Sequence, residues 1–327
     1  MFSRFWLIVL SSVFILSPTM AETKGVPLKM SKVYVIKAND RSDGLEKLWQ
    51  VVSVPDLVGK TVVIKPNFNS DDPFPATTHL DTLEFVIKKI KDKNPKAIVL
   101  AERSGMGGTE EILKNRGVYA LAIKYGVQVV NLDKLPKDGW LLVKEKGNHW
   151  KFGFWVAKLF READYVIELP CLKTHRFGGD FTLSLKNHIG SIAKWSPNGP
   201  YNYMWELHSS RDQRLMIAEV NKAIPTHLII MDGMQAFVSE GPETGKLVEP
   251  DLLVASDDRV AIDAVGVAVL RIYGTKTKIA KGKIFDLDQI KRAAELKIGV
   301  TSPAEIEIIP FDDESQKIAD RIKQVLQ

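Results

Sequence analysis

The sequence predicts an α/β protein with a mostly parallel sheet flanked by helices. Three observations carry that prediction. Short β-rich apolar runs alternate with segments of helical period, the early connections are short, and the chain holds no internal repeat or low-complexity tract. An irregular central insertion, rich in glycine and tryptophan, interrupts the alternation and is expected to line the site.

Val33 to Lys37 and Thr61 to Lys65 read as strands. Leu80, Leu83, Val86, Ile87 and Ile90 recur at helical spacing, and Thr78 with Asp81 resembles a capping box ahead of them. Ala97 to Ala101 is the next strand, a helix from about Thr109 to Tyr125 follows, and Val127 to Leu132 completes a βαβαβ run. Such a run calls for parallel strands and right-handed crossovers. Residues 133–163 are less regular, with Pro136, Gly139, Gly147 and Gly153, and a helix is expected around Trp155 to Arg161. Tyr165 to Leu169 reads as a buried strand, followed by the irregular stretch from Cys171 to His208. Arg211 to Ile224 is helical, and His227 to Met231 and Leu252 to Ala255 are strands. Val260 to Leu270 is apolar nearly all round, which predicts a buried helix. A lysine-rich surface linker at Lys276 to Lys283, a helix near Leu287 to Leu296, a strand at Glu305 to Ile309 and an amphipathic helix complete the chain.

The first residues are expected to lie outside this fold. Arg4 precedes an apolar core, Phe5 to Leu16, and Thr19-Met20-Ala21 supplies small residues at cleavage positions. That core is shorter than the roughly 20 residues of a membrane-spanning helix. Residues 1–21 therefore read as a signal peptide cleaved after Ala21, and the mature protein as periplasmic or secreted. No later apolar stretch is long enough to span a bilayer. A domain over residues 32–274 is expected, with a C-terminal extension over 275–327 packing on it. Two α/β lobes meeting near 133–163 is the other division the pattern allows.

The net charge of +5 is small for 327 residues and no run of five like charges occurs, so the chain lacks the electrostatic footprint of nucleic-acid binding. Cys171 is the single cysteine. It excludes an intramolecular disulfide and a cysteine-ligated iron–sulfur cluster, which needs about four thiolates. Cys171 is either a small buried hydrophobe or a thiol activated by Lys173 and His175.

The chemistry concentrates between Glu168 and His188. Lys173, Thr174 and His175 follow a predicted strand, Gly178-Gly179 supplies a hinge, and Lys186, Asn187 and His188 come next. Other predicted strands also end in polar groups: Lys65 and Asn67, Glu102, Asp232, and Asp257 with Asp258. Ligands of open parallel sheets bind outside the carboxyl ends of the strands, so these residues are expected to share one cleft. Lys65, Asn67, Lys173, Lys186, Asn187 and Asp263 are the candidate substrate-binding residues. His175, His208, Asp232 and Asp257 are the candidate catalytic ones. Asp263, in the apolar helix, needs a partner such as Lys186 or the backbone of a neighbouring loop. His175, His208 and Asp232 could converge on a divalent metal, although no ligand spacing of a known kind is present. Ser104 to Thr109 lacks both phosphate-loop fingerprints and reads as a tight turn with Thr109 as N-cap. Trp195, Tyr201, Tyr203 and Trp205 form either a lid over the site or the edge of a core.

These segments, in this order, resemble the domain-of-unknown-function 362 family. The resemblance rests on Val63-Ile64-Lys65-Pro66-Asn67, Ala101-Glu102-Arg103-Ser104, Glu168 to His175, and Leu185 to Gly190. It continues through His208, Met231 to Met234, Gly241-Pro242 and Ala255 to Ala264. The family has no generally established reaction. Some members carry a ferredoxin-like module whose cysteines this chain lacks. The resemblance implies roles for the same Lys, His, Asn and Asp positions. Sequence alone favours an enzyme acting on a small anionic substrate by general acid–base chemistry, with an exported anion-binding protein or a partner-binding protein as alternatives. It names no cofactor.

Overall fold

A computed structural model describes residues 30–327, and the leader expected over residues 1–21 falls outside them. The chain opens with β1 (Ser31–Lys37), α1 (Arg41–Val51), β2 (Thr61–Lys65), α2 (Leu80–Lys91), β3 (Ala97–Glu102), α3 (Thr109–Asn115), α4 (Val118–Tyr125) and β4 (Gln128–Asn131). The insertion supplies β5 (Trp140–Val143), β6 (Phe154–Ala157) and α5 (Lys158–Glu162). Then come β7 (Tyr165–Glu168), β8 (Cys171–His175), β9 (Asp180–Thr182), α6 (Ser184–Asn187), α7 (Tyr203–Ser209) and α8 (Gln213–Asn221). The remainder is β10 (Leu228–Phe237), β11 (Leu247–Val248), β12 (Leu252–Ser256), α9 (Arg259–Ile272), α10 (Asp288–Glu295), β13 (Ile306–Pro310) and α11 (Asp313–Leu326).

The fold is α/β, with a mostly parallel sheet in the order β13-β1-β12-β10-β7-β2-β3-β4. Alternating side chains feed two opposed faces. On β2, Val62 and Ile64 join the apolar layer under α1 to α4, while Val63 points to the layer beneath β6 and α8. On β12, Leu253 and Ala255 face the first layer, and Leu252 and Val254 pack against α9. Both faces are therefore covered, as a parallel sheet requires. Helix α9 is apolar around its circumference because β1 and β12 cover one side and α10 and α11 the other.

Four local expectations change. The helix predicted over Thr109 to Tyr125 breaks into α3 and α4 at Gly117, whose φ of 75° is the left-handed region that glycine tolerates. Around Trp155 the chain first makes β6, pairing with β5, and only then the short α5. The N-cap of α2 is His79, which accepts from the Asp81 amide, and that of α3 is Gly108. Cys171 to His175, read as irregular, is strand β8 beside β10.

The largest departure is β12, which runs antiparallel to both its neighbours, β1 and β10. Its carboxyl end lies at the opposite sheet edge from those of β2, β3, β7 and β10. The C-terminal strand β13 extends the same sheet by pairing in parallel with β1. Strand β7 pairs with both β2 and β10, so residues 133–163 are an insertion between strands of one continuous sheet.

Asp258 fastens the start of α9. Its carboxylate accepts from the Val260 and Ala261 amides at 2.8 and 2.9 Å, from the Val300 amide and from the Ser31 hydroxyl. Asp258→Ala removes this cap and two tertiary ties. Urea unfolding should show a loss of at least about 1–2 kcal/mol, as for strong helix caps.

Candidate functional site

From β2 the chain steps outward to β3 and β4, and it returns at β7 on the other side of β2. The crevice above β2 and β7 is thus a topological switch point, where loops part and leave room for a ligand. Lys65 closes β2 there, Glu102 closes β3, and β8 carries Lys173 and His175 past the end of β7. A small cavity of about 90 Å³ opens at this point. Its lining includes Lys65, Asn67, Lys173, His175, Lys186, Asn187 and His208, so the structure brings seven of the ten proposed residues together.

The lysines are held in three different ways. Lys65 is buried and spent: its ammonium lies 2.7 Å from Glu102 and donates to the Pro66 carbonyl. Glu102 also accepts from the Phe68 and Arg103 amides, so this carboxylate is fully occupied. Lys173 is wholly buried and donates to the Ala76 carbonyl, with no carboxylate within ion-pair distance among the described residues. Burial pushes its pKa down. Lys186 is half-buried on the cavity wall, and its pKa is lowered to about 7 by burial and by the nearby charges of Lys173 and Arg103.

Two histidines stand beside these cations. His175 accepts the Phe177 amide at Nδ1, and burial with Lys186, Lys173 and His208 around it keeps the ring neutral. His208 makes a hydrogen bond with Gln213 at 3.1 Å and with the Phe177 carbonyl, and burial followed by Lys186 lowers its pKa. Asn187 bridges the Lys65 carbonyl and the Asn67 amide group. Two polar atoms of the lining, Asn67 Oδ1 and Thr182 Oγ1, are buried without a partner among the described residues. Two glycines permit the close packing. A Cβ on Gly179 would fall 2.6 Å from Lys186 Cε and 3.4 Å from His175 Nδ1, and one on Gly190 would strike the Lys65–Glu102 pair.

Behind the cavity, a second layer of charge positions it. Glu168 is completely buried between Arg259 Nε at 2.7 Å and His188 Nε2 at 2.9 Å, with Ser184 Oγ on its other oxygen. Burial would raise its pKa, but His188 and Arg259 outweigh burial and hold it well below the usual range. His188 itself is lowered to about 4 by burial. It therefore serves as a neutral donor to Glu168, turned away from the cavity. Arg103 spans to the Ile192 carbonyl at 2.8 Å and to the Ile189 carbonyl, clamping the turn after α6.

Three proposed residues are placed elsewhere. Asp257 follows the antiparallel β12 and lies at the opposite edge, beside His227 and Ser31. Asp232 sits within β10 rather than at its end, and its carboxylate pairs with Arg41 at 2.8 Å and Thr82 at 2.5 Å. The two acids therefore do not orient a base in this cavity, and Asp232 does not join His175 and His208. Among the described residues no group of three or more His, Cys, Asp or Glu side chains is arranged to hold a metal ion. Asp263 accepts the Ser184 and Leu185 amides at 2.8 and 3.1 Å, the backbone alternative rather than Lys186. Burial raises its pKa well above the usual range. It anchors the turn that carries Lys186 instead of touching the cavity.

Burial raises the Cys171 thiol to about 11, so it is a packed hydrophobe and not an activated nucleophile. Tyr201 and Tyr203 pack edge to face at 5.0 Å against the layer below the β5–β6 hairpin and cover that core edge, whereas Trp195 and Trp205 are exposed. Sequence reasoning missed Asn69, Thr182 and Met204 in the lining. Thr182 carried a faint signal, being the polar residue between Phe181 and Leu183, both buried. The others carried none.

The domain-of-unknown-function 362 family, DUF362, matches residues 62–268. The chain belongs to that family. It is also 25% identical over 254 residues to thylakoid-associated protein sll1697 of Synechocystis, an alignment covering 76% of this chain and 74% of that protein. Among the described residues no helix is long and apolar enough to cross a membrane.

Glu168→Gln retains the shape of the buried network but leaves Arg259 without its counter-charge. Removing one partner of a buried pair costs about 3–5 kcal/mol, so chemical denaturation should report a loss of that size. A loss under about 1 kcal/mol would show that the pair does not anchor the site.

Proposed function

We propose that this DUF362 protein binds a small molecule through its carboxylate or phosphate group in the cavity above β2 and β7, and that His175 exchanges a proton with it. One observation carries the reading. Lys173 and Lys186 bring two cationic groups to one cavity, and neither has a carboxylate partner among the described residues. Such groups are costly to desolvate, and a bound anion with charged hydrogen bonds offsets that cost. Asn67 and Thr182 offer further polar atoms whose hydrogen-bonding capacity is unused. With Nδ1 accepting the Phe177 amide, the neutral His175 offers its Nε2 proton to the bound molecule.

Inorganic phosphate and acetate serve as probes, with binding measured by calorimetry. Lys173→Met keeps the bulk of the side chain and removes its charge. It should raise the Kd for phosphate about 10- to 100-fold, as lost charge-assisted hydrogen bonds do. Affinity should also be greatest below pH 7. As pH rises through about 7, free Lys186 loses its proton, and an anion must then bind with uptake of a proton. Affinity therefore falls with pH until the raised pKa of the bound state is passed. Equal binding by wild type and Lys173→Met, with no pH dependence, would dismiss the site.

We also propose that the chain is exported, on the strength of Arg4, the apolar Phe5 to Leu16 and Thr19-Met20-Ala21. N-terminal sequencing of the fractionated protein should find Glu22 first, outside the cytoplasm. An intact Met1 on cytoplasmic protein would exclude export.

A further inference from the structure

We propose that Lys186 is a nucleophilic amine that forms a reversible imine with a small carbonyl compound bearing an acidic group. This rests on the anion-binding reading above and names the substrate class for the same cavity. Lys65 is excluded as the nucleophile by its ion pair with Glu102, and Lys173 by full burial and its bond to Ala76. Lys186 alone among these three keeps part of its side chain accessible, and it makes no hydrogen bond or ion pair among the described residues. An amine must shed its proton before it attacks. Cationic neighbours and an apolar setting are the arrangement that favours the free base. Lys173 and Arg103 supply the cationic neighbours, and Leu185 and Ile189 flank the turn as buried apolar side chains.

The same arrangement specifies the acidic group. Lys173 lines the same cavity, where its N–H groups can hold a carboxylate or phosphate. A carbonyl carbon attached to that group then lies toward Lys186 on the wall. The small cavity volume favours a compound of a few heavy atoms beyond the acidic group. Gly179 lets Lys186 Cε and His175 Nδ1 approach the same point, so the amine and the imidazole are neighbours. Because Nδ1 accepts the Phe177 amide, the ring proton is assigned to Nε2.

The steps balance without a further reagent. The Lys186 lone pair forms a C–N bond to the carbonyl carbon, and the C=O π pair moves to oxygen. The nitrogen proton passes to that oxygen to give a neutral carbinolamine. The remaining N–H proton of the carbinolamine passes to the hydroxyl, to which His175 Nε2–H donates a hydrogen bond. The hydroxyl leaves as water as the nitrogen electron pair closes the C=N bond, so imine and imidazole both end neutral. Addition of water reverses the sequence and frees the amine.

The test uses the full chain with pyruvate, glyceraldehyde 3-phosphate or acetone, each reduced by borohydride and mapped by peptide mass spectrometry. Reduction traps the imine as a stable secondary amine. Pyruvate or glyceraldehyde 3-phosphate should label Lys186 on the order of 100-fold faster than surface lysines at pH 7, where an amine titrating near 7 carries about 10³ times the free base of an ordinary lysine. Whichever of the two labels faster identifies the acidic group as carboxylate or phosphate. Acetone, lacking an acidic group, should label Lys186 more slowly than either acidic probe, and inorganic phosphate should protect Lys186 from both acidic probes. Lys186→Arg should abolish the selective adduct. Labelling spread evenly over surface lysines, or none at Lys186 in protein that binds phosphate, would overturn the imine while leaving the anion site intact. Failure of both labelling and phosphate binding would instead overturn the reading beneath it.

Discussion

Glu168 holds a full negative charge at a point that solvent does not reach, and the rest of the site is arranged around the means of keeping it there. Arg259 supplies the counter-charge from the first turn of α9, and His188 and Ser184 supply hydrogen bonds from either end of α6. A pair of this kind contributes little net stability, because desolvation consumes most of its Coulombic gain. Its effect is on geometry. Three segments far apart in sequence can satisfy one carboxylate in only one relative placement. That placement sets the height of α6 above the sheet, and with it the positions of Lys186 and Asn187.

Asp263 completes the same task from the same helix. Four residues after Arg259 it lies on the same face of α9, and its carboxylate receives the first amides of α6. Glu168 thus fixes the side chains of that turn and Asp263 fixes its backbone. Both acids lie behind the cavity and neither enters it. The cavity is left with an excess of cationic groups because Glu102, the one carboxylate among its described lining residues, is already committed to Lys65 and two backbone amides. A site that must accept an anion needs this asymmetry, since a free carboxylate in the lining would repel the ligand and pair with the lysines instead.

Most of the strand framework was legible because a strand buried on both faces must be a short apolar run, whichever way it points. Direction was not legible for the same reason. Nothing in Leu252 to Ala255 distinguishes a parallel from an antiparallel neighbour, and the assumption of uniform direction carried Asp257 to the wrong edge. Asp232 was misplaced by a different route. Strand β10 continues to Phe237, past the Met231 where the apolar run ends, because Leu252 pairs with Gly233 and β11 pairs with Ala236 and Phe237. Lys65, Lys173 and Lys186 were readable as site residues because an isolated lysine in an apolar stretch needs a reason to be buried. Which of them was already neutralised depended on Glu102, a contact between strand ends that spacing along one chain does not reveal.

The two glycines at the cavity connect these levels. Gly179 and Gly190 lie in loops on opposite sides of α6, and each is a place where a missing side chain lets charged groups come close. At Gly190 the groups brought together have opposite sign, and the result is a closed ion pair that seals one wall. At Gly179 the approach brings Lys186 toward His175, and the groups around them are Lys173 and Arg103, all cationic or neutral. Close packing of like charge raises the free energy of the protonated lysine and so shifts the balance toward the free amine. The hairpin between β8 and β9 therefore does more than close the crevice. By pressing against Lys186 through a residue with no side chain, it adds to the burial that, with the charges of Lys173 and Arg103, lowers the amine's pKa to about 7.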